Sequence, residues 1–449
     1  MQKKFDVVIL GAGTAGLAAL KEVKRHTKSV LMIDPGPLGT TCARVGCMPS
    51  KVFIQVAHDV HRARLLEKKG IMPENGRVQL SRVMEDVRRY RDYFVEPIVR
   101  DIKASSEHFL QGHARFTGPQ SLSVDGKHQL EAKSIIIATG SRPVIPASWP
   151  RNHPKIVTTD DFFEWKSLPQ KWAVVGLGPI GLELGQALAH LGLDVHGYDR
   201  NKTLGGLAGS QLNEQAYDIF QRDMKINRGD DVTIRDQGEQ LEINFGNKVQ
   251  RVDAVLAAMG RQPNLDDLDL EQTGCEKGED GLPIRDEATL SFRGLSIYLA
   301  GDVDKTNPLL HEASDEGRIA GYNASHEVPI PMARRTPLAV VFTHPGIAAV
   351  GKREAESGRT IIGKASYDDQ GRAKIMGENQ GAVHLHVAAP EGQLLGADIL
   401  APGAEHLAHL LALAVDRQLT VSEMLELPFY HPTLEEGIRT ALRDAARQL

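Results

Sequence analysis

The sequence predicts an α/β protein with two Rossmann-like doubly wound domains and a C-terminal α+β domain. A β-branched run, a glycine-rich loop, a helix-compatible segment and a second strand follow one another near the N-terminus, and the same order returns from residue 171. Strands that alternate with helical segments are typical of parallel sheets. From about residue 335 the pattern changes to alternating strands, followed by a helix near residues 405–417. This change predicts a separate C-terminal domain.

Composition limits the classes of protein that fit. The 449 residues suffice for about three domains at ~150 residues each. With 41% hydrophobic and 25% charged residues the chain can bury a core. A net charge of -5 gives no reason to expect nucleic-acid binding, and three cysteines cannot form a secreted disulfide scaffold. No segment has the length of a membrane span or the layout of a signal peptide, so we expect a soluble, cytoplasmic protein that binds no membrane.

The first glycine loop follows the apolar run at residues 5–10. It places Gly11, Gly13 and Gly16 in a G-x-G-x-x-G pattern before a helical segment, and the next strand ends at Asp34. Such glycines let the backbone approach a pyrophosphate at a helix N-terminus, and the carboxylate accepts hydrogen bonds from a ribose. We therefore predict a dinucleotide site; a purely structural glycine turn is the alternative.

A second unit repeats this pattern. The strand at 171–175 leads into Gly176, Gly178 and Gly181, and the strand at 194–198 ends at Asp199. Two such units imply two dinucleotides. Between the units, residues 51–102 are rich in helix formers, and we expect them to form helix without internal turns.

Cys42 and Cys47 form a C-x4-C pattern directly after the first unit. Zinc needs two further ligands, and the surrounding sequence offers no second cysteine pair or histidine pair, so we predict no metal. A disulfide needs Cα atoms about 4.4–6.8 Å apart, so the helical turn must be distorted, and Gly46 is suited to that distortion. A strained disulfide favours a redox role, and two buried structural thiols are the alternative. We expect His26, His58 and His61 to be solvated rather than ligands.

These residues support a family resemblance. The chain resembles the FAD-dependent pyridine nucleotide–disulfide oxidoreductases over nearly its whole length, and within them most resembles the dihydrolipoyl dehydrogenases. The matching segments are Thr41-Cys42 with Cys47-Met48-Pro49-Ser50-Lys51, Ala138-Thr139-Gly140-Ser141-Arg142-Pro143, Gly260-Arg261-Gln262-Pro263-Asn264, Ala300-Gly301-Asp302 and His431-Pro432-Thr433-Leu434-Glu435-Glu436.

The resemblance implies an organisation and a cofactor for each part. Residues 1–147 and 266–334 would form the FAD-binding part, 148–265 the NAD(P)-binding domain and 335–449 a dimerisation domain. The residues implied to contact FAD are Gly11, Gly13, Gly16, Asp34, Thr41, Lys51, Thr139, Gly140 and Asp302. Those implied to contact the nicotinamide nucleotide are Gly176, Gly178, Gly181, Glu183, Asp199 and Gly260.

The choice between NAD and NADP follows from a few side chains. Asp199 suits a free ribose 2′-OH and repels a 2′-phosphate, and Gly181 points the same way because NADP-using relatives often carry Ala there. Arg200 and Lys202 lie close in sequence and would tolerate a phosphate. We predict NAD, with NADP as the alternative.

The resemblance also assigns catalytic roles. Cys42 would be the more exposed sulfur that the substrate dithiol attacks, and Cys47 would be released against the flavin. Lys51 would pair with Glu183 beside the flavin. The resemblance implies that a His431–Glu436 pair acts as the base.

In the relatives that base comes from the partner subunit, so we predict a homodimer. We expect the remaining cysteine, Cys275, to take no part in the chemistry.

The predicted activity is oxidation of a dihydrolipoyl group, free or on a lipoyl-bearing protein, by NAD⁺. An NADPH-dependent reductase of another disulfide, similar to glutathione reductase, is the main alternative; a binding or structural flavoprotein and a transhydrogenase or quinone reductase are further ones. Thr40, Arg44, Tyr430 and Gly346 depart from the family pattern. Arg44 and Tyr430 would lie near the dithiol and the base, where they would alter substrate choice.

Overall fold

The computed structural model describes residues 3–73, 76–150, 152–207, 209–279, 281–356 and 358–449. The chain divides into two compact units. Unit 1 comprises Met1–Ser50, Glu85–Val144 and Arg261–Arg334, and unit 2 comprises Lys51–Met84, Ile145–Gly260 and Arg335–Leu449.

The α-helices of the described residues are numbered in chain order. They are α1 (Thr14–Val23), α2 (Thr41–Val45), α3 (Cys47–Lys68), α4 (Leu80–Ala104), α5 (Thr159–Phe162), α6 (Pro179–His190), α7 (Ser210–Phe220), α8 (Leu310–Ala324), α9 (Gly371–Met376), α10 (Ala404–Asp416), α11 (Val421–Leu425) and α12 (Glu436–Ala446).

The strands are numbered in the same way. They are β1 (Lys3–Leu10), β2 (Val30–Asp34), β3 (Phe109–Gln111), β4 (Ala114–Gly118), β5 (Ser121–Val124), β6 (His128–Ile137), β7 (Ser141–Pro143), β8 (Ile156–Val157), β9 (Lys171–Val175), β10 (Asp194–Asp199), β11 (Lys225–Arg228), β12 (Val232–Asp236), β13 (Leu241–Phe245), β14 (Lys248–Val252), β15 (Ala254–Ala257), β16 (Arg261–Pro263), β17 (Ile297–Leu299), β18 (Leu338–Val341), β19 (Gly346–Gly351), β20 (Arg359–Ser366), β21 (Ala382–Ala389) and β22 (Leu394–Ala401).

Unit 1 is built on a sheet whose central strands are parallel. β3, β2, β1 and β6 lie side by side, and β17 pairs with β6 in parallel, although it comes from a distant part of the chain. β1 is buried on both faces: Val7 and Ile9 enter one core, and Val8 and Leu10 enter another. Successive side chains of a strand point to opposite faces of the sheet, and a parallel sheet is covered on both faces. Neighbouring residues of β1 therefore enter different cores.

Unit 2 contains a second parallel sheet, in the order β11, β10, β9, β15 and β8, and a three-stranded antiparallel sheet of β12, β13 and β14. Its C-terminal part is a five-stranded antiparallel sheet in the order β18, β19, β22, β21 and β20. Apolar residues of α10 and α12 complete the core on that sheet, including Leu407, Leu411, Ile438 and Leu442. The predicted fold class, two Rossmann-type domains and a C-terminal α+β domain, is confirmed.

One expectation about the fold was wrong. Residues 51–102 do not form an uninterrupted helical segment, because α3 ends at Lys68 and α4 begins at Leu80. Gly70 follows α3 with a φ of 69°, a conformation that favours glycine and ends a helix. The chain also contains Pro73 here. No helix within the described ranges combines the length and the apolar character needed to cross a bilayer.

Candidate active site

The first glycine loop joins β1 to α1. Gly11 has a φ of 109°, and a Cβ on it would lie 2.2 Å from the Ala138 carbonyl oxygen. A Cβ on Gly16 would lie 1.9 Å from the Gly11 oxygen. Gly13, at the N-cap of α1, has open space around its Cβ position. Packing therefore requires two of the glycines, while the third leaves the helix N-terminus accessible, as a pyrophosphate site needs.

The second loop, between β9 and α6, has the same construction. Gly176 has a φ of 91°, and a Cβ on it would lie 2.3 Å from the Ala258 carbonyl oxygen. A Cβ on Gly181 would lie 1.8 Å from the Gly176 oxygen. Gly178 caps α6 and again faces open space. Both loops thus have the shape that suits a dinucleotide.

The acidic residues that end β2 and β10 support these loops. Asp34 Oδ2 accepts a hydrogen bond from Ala12 N at 2.7 Å, and its Oδ1 accepts one from Gly36 N at 2.6 Å. Asp199 repeats the arrangement with Leu177 N at 2.6 Å and with the amide two residues later at 2.7 Å. The sequence did not predict that Asp34 and Asp199 would hold the loop backbone by these hydrogen bonds. Each carboxylate oxygen has a second lone pair, so both can still accept a bond from a ribose.

The two cysteines lie on either side of a break between α2 and α3. The break is at Gly46, where an added Cβ would lie 3.0 Å from the Thr41 oxygen and 3.1 Å from Cys42 Cα. This interruption of the helix lies where the C-x4-C spacing required a distorted turn. Thr40, which departs from the family pattern, caps α2 by accepting a bond from Ala43 N at 3.2 Å.

The relative exposure of the cysteines is opposite to our expectation. Cys42 is half-buried and Cys47 is exposed. The reason is local: Cys42 lies in a short helix whose residues Ala43 and Val45 are buried, whereas Cys47 is the first residue of α3. A helix N-terminus stabilises negative charge, so the position of Cys47 favours its thiolate form.

Lys51 and Glu183 are in direct contact, as predicted. Lys51 Nζ donates to Glu183 Oε2 at 2.7 Å, and the Glu183 side chain is only 6% exposed. The other carboxylate oxygen accepts from Phe342 N at 2.8 Å, and the Lys51 ammonium lies 4.8 Å from the Phe342 ring centroid. The buried charge of Glu183 is therefore compensated on both oxygens.

Gln186 extends this contact along α6 and was not singled out from the sequence. Its Nε2 donates to the His344 carbonyl at 2.7 Å, and its Oε1 accepts from His344 N at 2.8 Å. Residues three apart lie on one helix face, so the Glu183–Gln186 spacing was the available signal.

The predicted residues Thr139 and Gly140 are fixed by Asn264. Thr139 Oγ1 donates to the Asn264 carbonyl at 2.8 Å, Asn264 Nδ2 donates to the Thr139 carbonyl at 3.0 Å, and Asn264 N donates to the Gly140 oxygen at 2.9 Å. Gly260 has a φ of 98° with open space around its Cβ position. This glycine therefore permits a close approach of backbone to a ligand.

Asp302 follows β17 and is half-buried. Burial raises the pKa of its carboxyl group, and the charge of Arg261 opposes that rise. The neighbouring Gly301 donates its N–H to Glu316 Oε2 at 2.7 Å, and a Cβ on Gly301 would lie 2.8 Å from Ala15 Cβ. The backbone around Asp302 is therefore held closely against α1.

His431 and Glu436 also meet as predicted. His431 Nδ1 lies 3.0 Å from Glu436 Oε2, and Thr433 N donates to the same oxygen at 3.3 Å. The hydrogen bond with His431 lowers the pKa of Glu436. Because Nδ1 is engaged, Nε2 is the ring nitrogen left to exchange a proton. His431 and the adjacent Tyr430 are exposed, Tyr430 to 81%.

Arg44 and Cys275 were also singled out from the sequence. Arg44 Nη1 donates to the Pro37 carbonyl at 2.8 Å. Cys275 is half-buried beside an apolar core, and its Sγ lies 3.8 Å from the Leu270 oxygen.

The histidines were only partly predicted. His26 is exposed, as expected, but His58 and His61 are half-buried. Their rings stack on those of His344 and His190, with centroids 3.4 Å and 4.0 Å apart. Burial lowers the pKa of His58 and of His61 to about 4 and that of His344 to about 3. Sequence reasoning missed this cluster because its members come from separate elements.

Comparison with known proteins places this geometry in a family. Residues 5–317 match the pyridine nucleotide-disulphide oxidoreductase model, and residues 338–442 match the dimerisation domain of the same family. Dihydrolipoyl dehydrogenase of Bacillus subtilis is 29% identical over 96% of this chain and 94% of its own length. Mercuric reductase of Staphylococcus aureus is 29% identical over 97% of this chain and 82% of its own length.

Solved structures show the same fold. LpdA from Mycobacterium tuberculosis has a TM-score of 0.85 and 25% identity, with all of both chains covered. The HOCl-induced flavoprotein disulfide reductase RclA from Escherichia coli, in a Cu(II) complex, has a TM-score of 0.85 and 21% identity, with 99% of each chain covered. The matched dimerisation domain implies a homodimer. The chain belongs to the pyridine nucleotide-disulphide oxidoreductases, a family of flavin-dependent enzymes of disulfide redox chemistry.

Proposed function

We propose that this protein oxidises a dihydrolipoyl group, free or on a lipoyl-bearing protein, with NAD⁺ as the electron acceptor. The observation that carries the proposal is the His431–Glu436 contact at 3.0 Å, because oxidation of a dithiol requires a base that accepts a thiol proton. The similarity to proteins named dihydrolipoyl dehydrogenase over nearly the whole chain supports the same substrate class.

The proton moves first. His431 Nε2 takes a proton from one substrate thiol, and the Glu436 carboxylate orients the ring and stabilises the imidazolium. We place this pair opposite the cysteines of the partner subunit, so that each active site requires a dimer.

The thiol exchange then uses the two cysteines in a fixed order. The substrate thiolate attacks Cys42 Sγ of the oxidised pair, the Cys42–Cys47 bond breaks, and Cys47 leaves as a thiolate. We assign this order from the leaving group rather than from exposure: Cys47 begins α3, and a stabilised thiolate leaves faster. His431 passes its proton to the departing Cys42 thiolate and takes the proton of the second substrate thiol, whose sulfur closes the substrate disulfide and releases the oxidised substrate.

The nucleotides would be held by the two glycine loops. The open helix N-termini at Gly13 and Gly178 fit one pyrophosphate each. A bound flavin supplies the two-electron connection between the cysteine pair and the nicotinamide. We assign Thr41, Thr139, Gly140 and Asp302 to the flavin part, as the family resemblance implies.

We assign Lys51 and Glu183 to the region beside the flavin ring. The Glu183 carboxylate compensates the charge of the Lys51 ammonium group and keeps that group in place. For the nicotinamide nucleotide we assign Gly260 and Asp199. The Asp199 carboxylate favours NAD, because a 2′-phosphate beside it would be repelled.

A second candidate function is the reduction of another disulfide with NADPH. Three observations favour it. Arg44 stands between the cysteines in sequence, and Tyr430 is 81% exposed beside the proposed base. Both depart from the family pattern, and Arg200 and Lys202 are exposed close to Asp199.

Steady-state assays test these functions. Dihydrolipoamide with NAD⁺ is expected to give rapid NADH formation, while glutathione disulfide with NADPH is expected to give little turnover. The reverse result would support the second candidate. Activity should be lost in Cys47→Ser and kept in Cys275→Ser, which serves as the matched control. Dihydrolipoamide turnover that survives Cys47→Ser would contradict a redox role of the cysteine pair.

A further inference from the structure

A cluster of four imidazoles in unit 2 lies outside the groups assigned to the redox chemistry. His58 and His61 are on α3, His190 is the last residue of α6, and His344 precedes β19. Asp223 follows α7 and belongs to the same cluster, since its Oδ2 lies 3.3 Å from His190 Nε2.

Three of these side chains, those of His61, His190 and Asp223, bring their ligand atoms close to one another. One ligand atom each of His61, His190 and Asp223 lies within 4.8 Å of the others. Ligands of a tetrahedral ion with bonds of ~2.0–2.1 Å are about 3.3 Å apart, so the set closes on an ion only if the stacked rings of His61 and His190 turn toward it. Two imidazoles and one carboxylate are ligands that suit borderline divalent ions.

The surroundings hold two of the three ligands in place. Gln186 Nε2 donates to Asp223 Oδ2 at 2.9 Å, which orients the carboxylate. Arg64 donates to the carbonyl oxygens of His190 and Leu191 at 2.9 and 3.1 Å, which fixes the end of α6. An outer partner such as Gln186 is typical of metal sites, where it sets the direction of the ligand side chain.

A further nitrogen in the cluster lacks a partner. His58 Nδ1 is buried and has no hydrogen-bond partner among the described residues. The His58 ring stacks on the His344 ring. The centroid of the His344 ring lies 6.4 Å from that of the His190 ring. A set of three protein ligands leaves a fourth tetrahedral position, for water or for one more imidazole.

We propose that His61, His190 and Asp223 form a binding site for a divalent transition-metal ion of the Zn²⁺ type. The ion would join α3 to α6, the two helices whose Lys51 and Glu183 already meet. The site would therefore fix the relative position of these helices independently of the redox chemistry.

Binding of Zn²⁺ tests this site, provided that the cysteines do not bind the ion instead. Full-length protein carrying Cys42→Ser and Cys47→Ser removes that competition. Zn²⁺ alone is titrated into it against a chromophoric chelator, and Co²⁺ is used to report ligand geometry by its visible absorption. We expect one ion per chain and a tetrahedral Co²⁺ spectrum.

Variants then assign the ligands. In that background His61→Gln and Asp223→Asn should each weaken Zn²⁺ binding by at least ~10-fold, since loss of a mere outer partner already costs about 10–100-fold. His384→Gln is the matched control, because His384 is also half-buried but lies on β21, and it should bind like the parent. Zn²⁺ should raise the melting temperature of the parent and of His384→Gln but not of His61→Gln.

Two results would overturn the proposal. One is the absence of stoichiometric Zn²⁺ binding in the parent that lacks Cys42 and Cys47. The other is binding by His61→Gln and Asp223→Asn that equals binding by His384→Gln. Far-ultraviolet circular dichroism of each variant shows whether it is folded, and the half-buried His61 gives a variant that is expected to fold.

Discussion

The two glycine-loop units have nearly the same loop but differ in the helix face next to it. In unit 1, α1 presents small residues to α8: a Cβ on Gly317 would lie 2.2 Å from the Ala15 oxygen, and one on Gly321 would lie 2.9 Å from the Ala19 oxygen. In unit 2, α6 presents Glu183 and its polar neighbours, which are buried and hydrogen-bonded. The two loops share the shape that suits a dinucleotide, whereas the helix faces beside them differ in polarity.

The largest effect should come from filling a loop. In Gly11→Val the side chain meets the Ala138 carbonyl at a φ of 109°, so we expect loss of the bound flavin and of all activity. In Gly176→Val we expect flavin to remain and nicotinamide binding to be lost. The absorption spectrum of the purified protein and a titration with NADH distinguish the two.

If both variants lose flavin equally, the two loops do not serve separate nucleotides. Gly371→Ala provides a control, because a Cβ at this position has no close neighbour.

A change outside both loops should spare both nucleotides. His431→Gln removes the base, and we expect turnover to fall about 10²–10⁴-fold. Flavin content and reduction of the flavin by NADH should stay unchanged. Turnover of dihydrolipoamide that is reduced less than tenfold would contradict the assignment of His431.

The polar face of α6 is tested by Glu183→Gln. Lys51 then loses its anion, and breaking a buried pair costs ~3–5 kcal/mol. Because Lys51 is 33% exposed, solvent reduces this to about 2–3 kcal/mol of unfolding free energy. Denaturant unfolding gives the value.

Glu131→Gln is the matched control. It breaks the exposed Lys4–Glu131 pair and should leave stability unchanged. Equal effects of the two substitutions would show that burial adds nothing at Glu183.

The contact between the small residues of α1 and α8 is tested by Gly317→Ala, a change on α8. The added methyl group meets the Ala15 carbonyl, so the two helices must separate. Such overpacking costs about 1–3 kcal/mol. Unfolding measurements should show this loss, and an unchanged stability would mean that the α1–α8 contact adjusts freely.

The smallest effect concerns nucleotide choice. Asp199→Ser removes the negative charge at the end of β10, and we expect kcat/KM for NADP⁺ to rise about tenfold relative to NAD⁺, equivalent to ~1.4 kcal/mol. Initial rates with both nucleotides measure the ratio. Since Asp199 also accepts two backbone hydrogen bonds, Asp199→Asn serves as the variant that keeps part of that support.

Sequence reasoning succeeded where the relevant contacts are local or where a family pattern specifies them. The glycine loops, the break near Gly46 and the two ion or hydrogen-bonded pairs, Lys51–Glu183 and His431–Glu436, were all predicted. It failed for the exposure of the cysteines, the interruption after Lys68 and the histidine cluster. These depend on which surfaces pack together, which short motifs do not encode.

Local sequence was sufficient to predict the two glycine loops and the spacing of the cysteines, because glycines with φ > 0 and a residue count act within a few positions. The pairing of β17 with β6 and the convergence of His61, His190 and Asp223 could not be predicted in this way. Those contacts join residues far apart in the chain. They form only when burial of the apolar core brings separate helices and strands together.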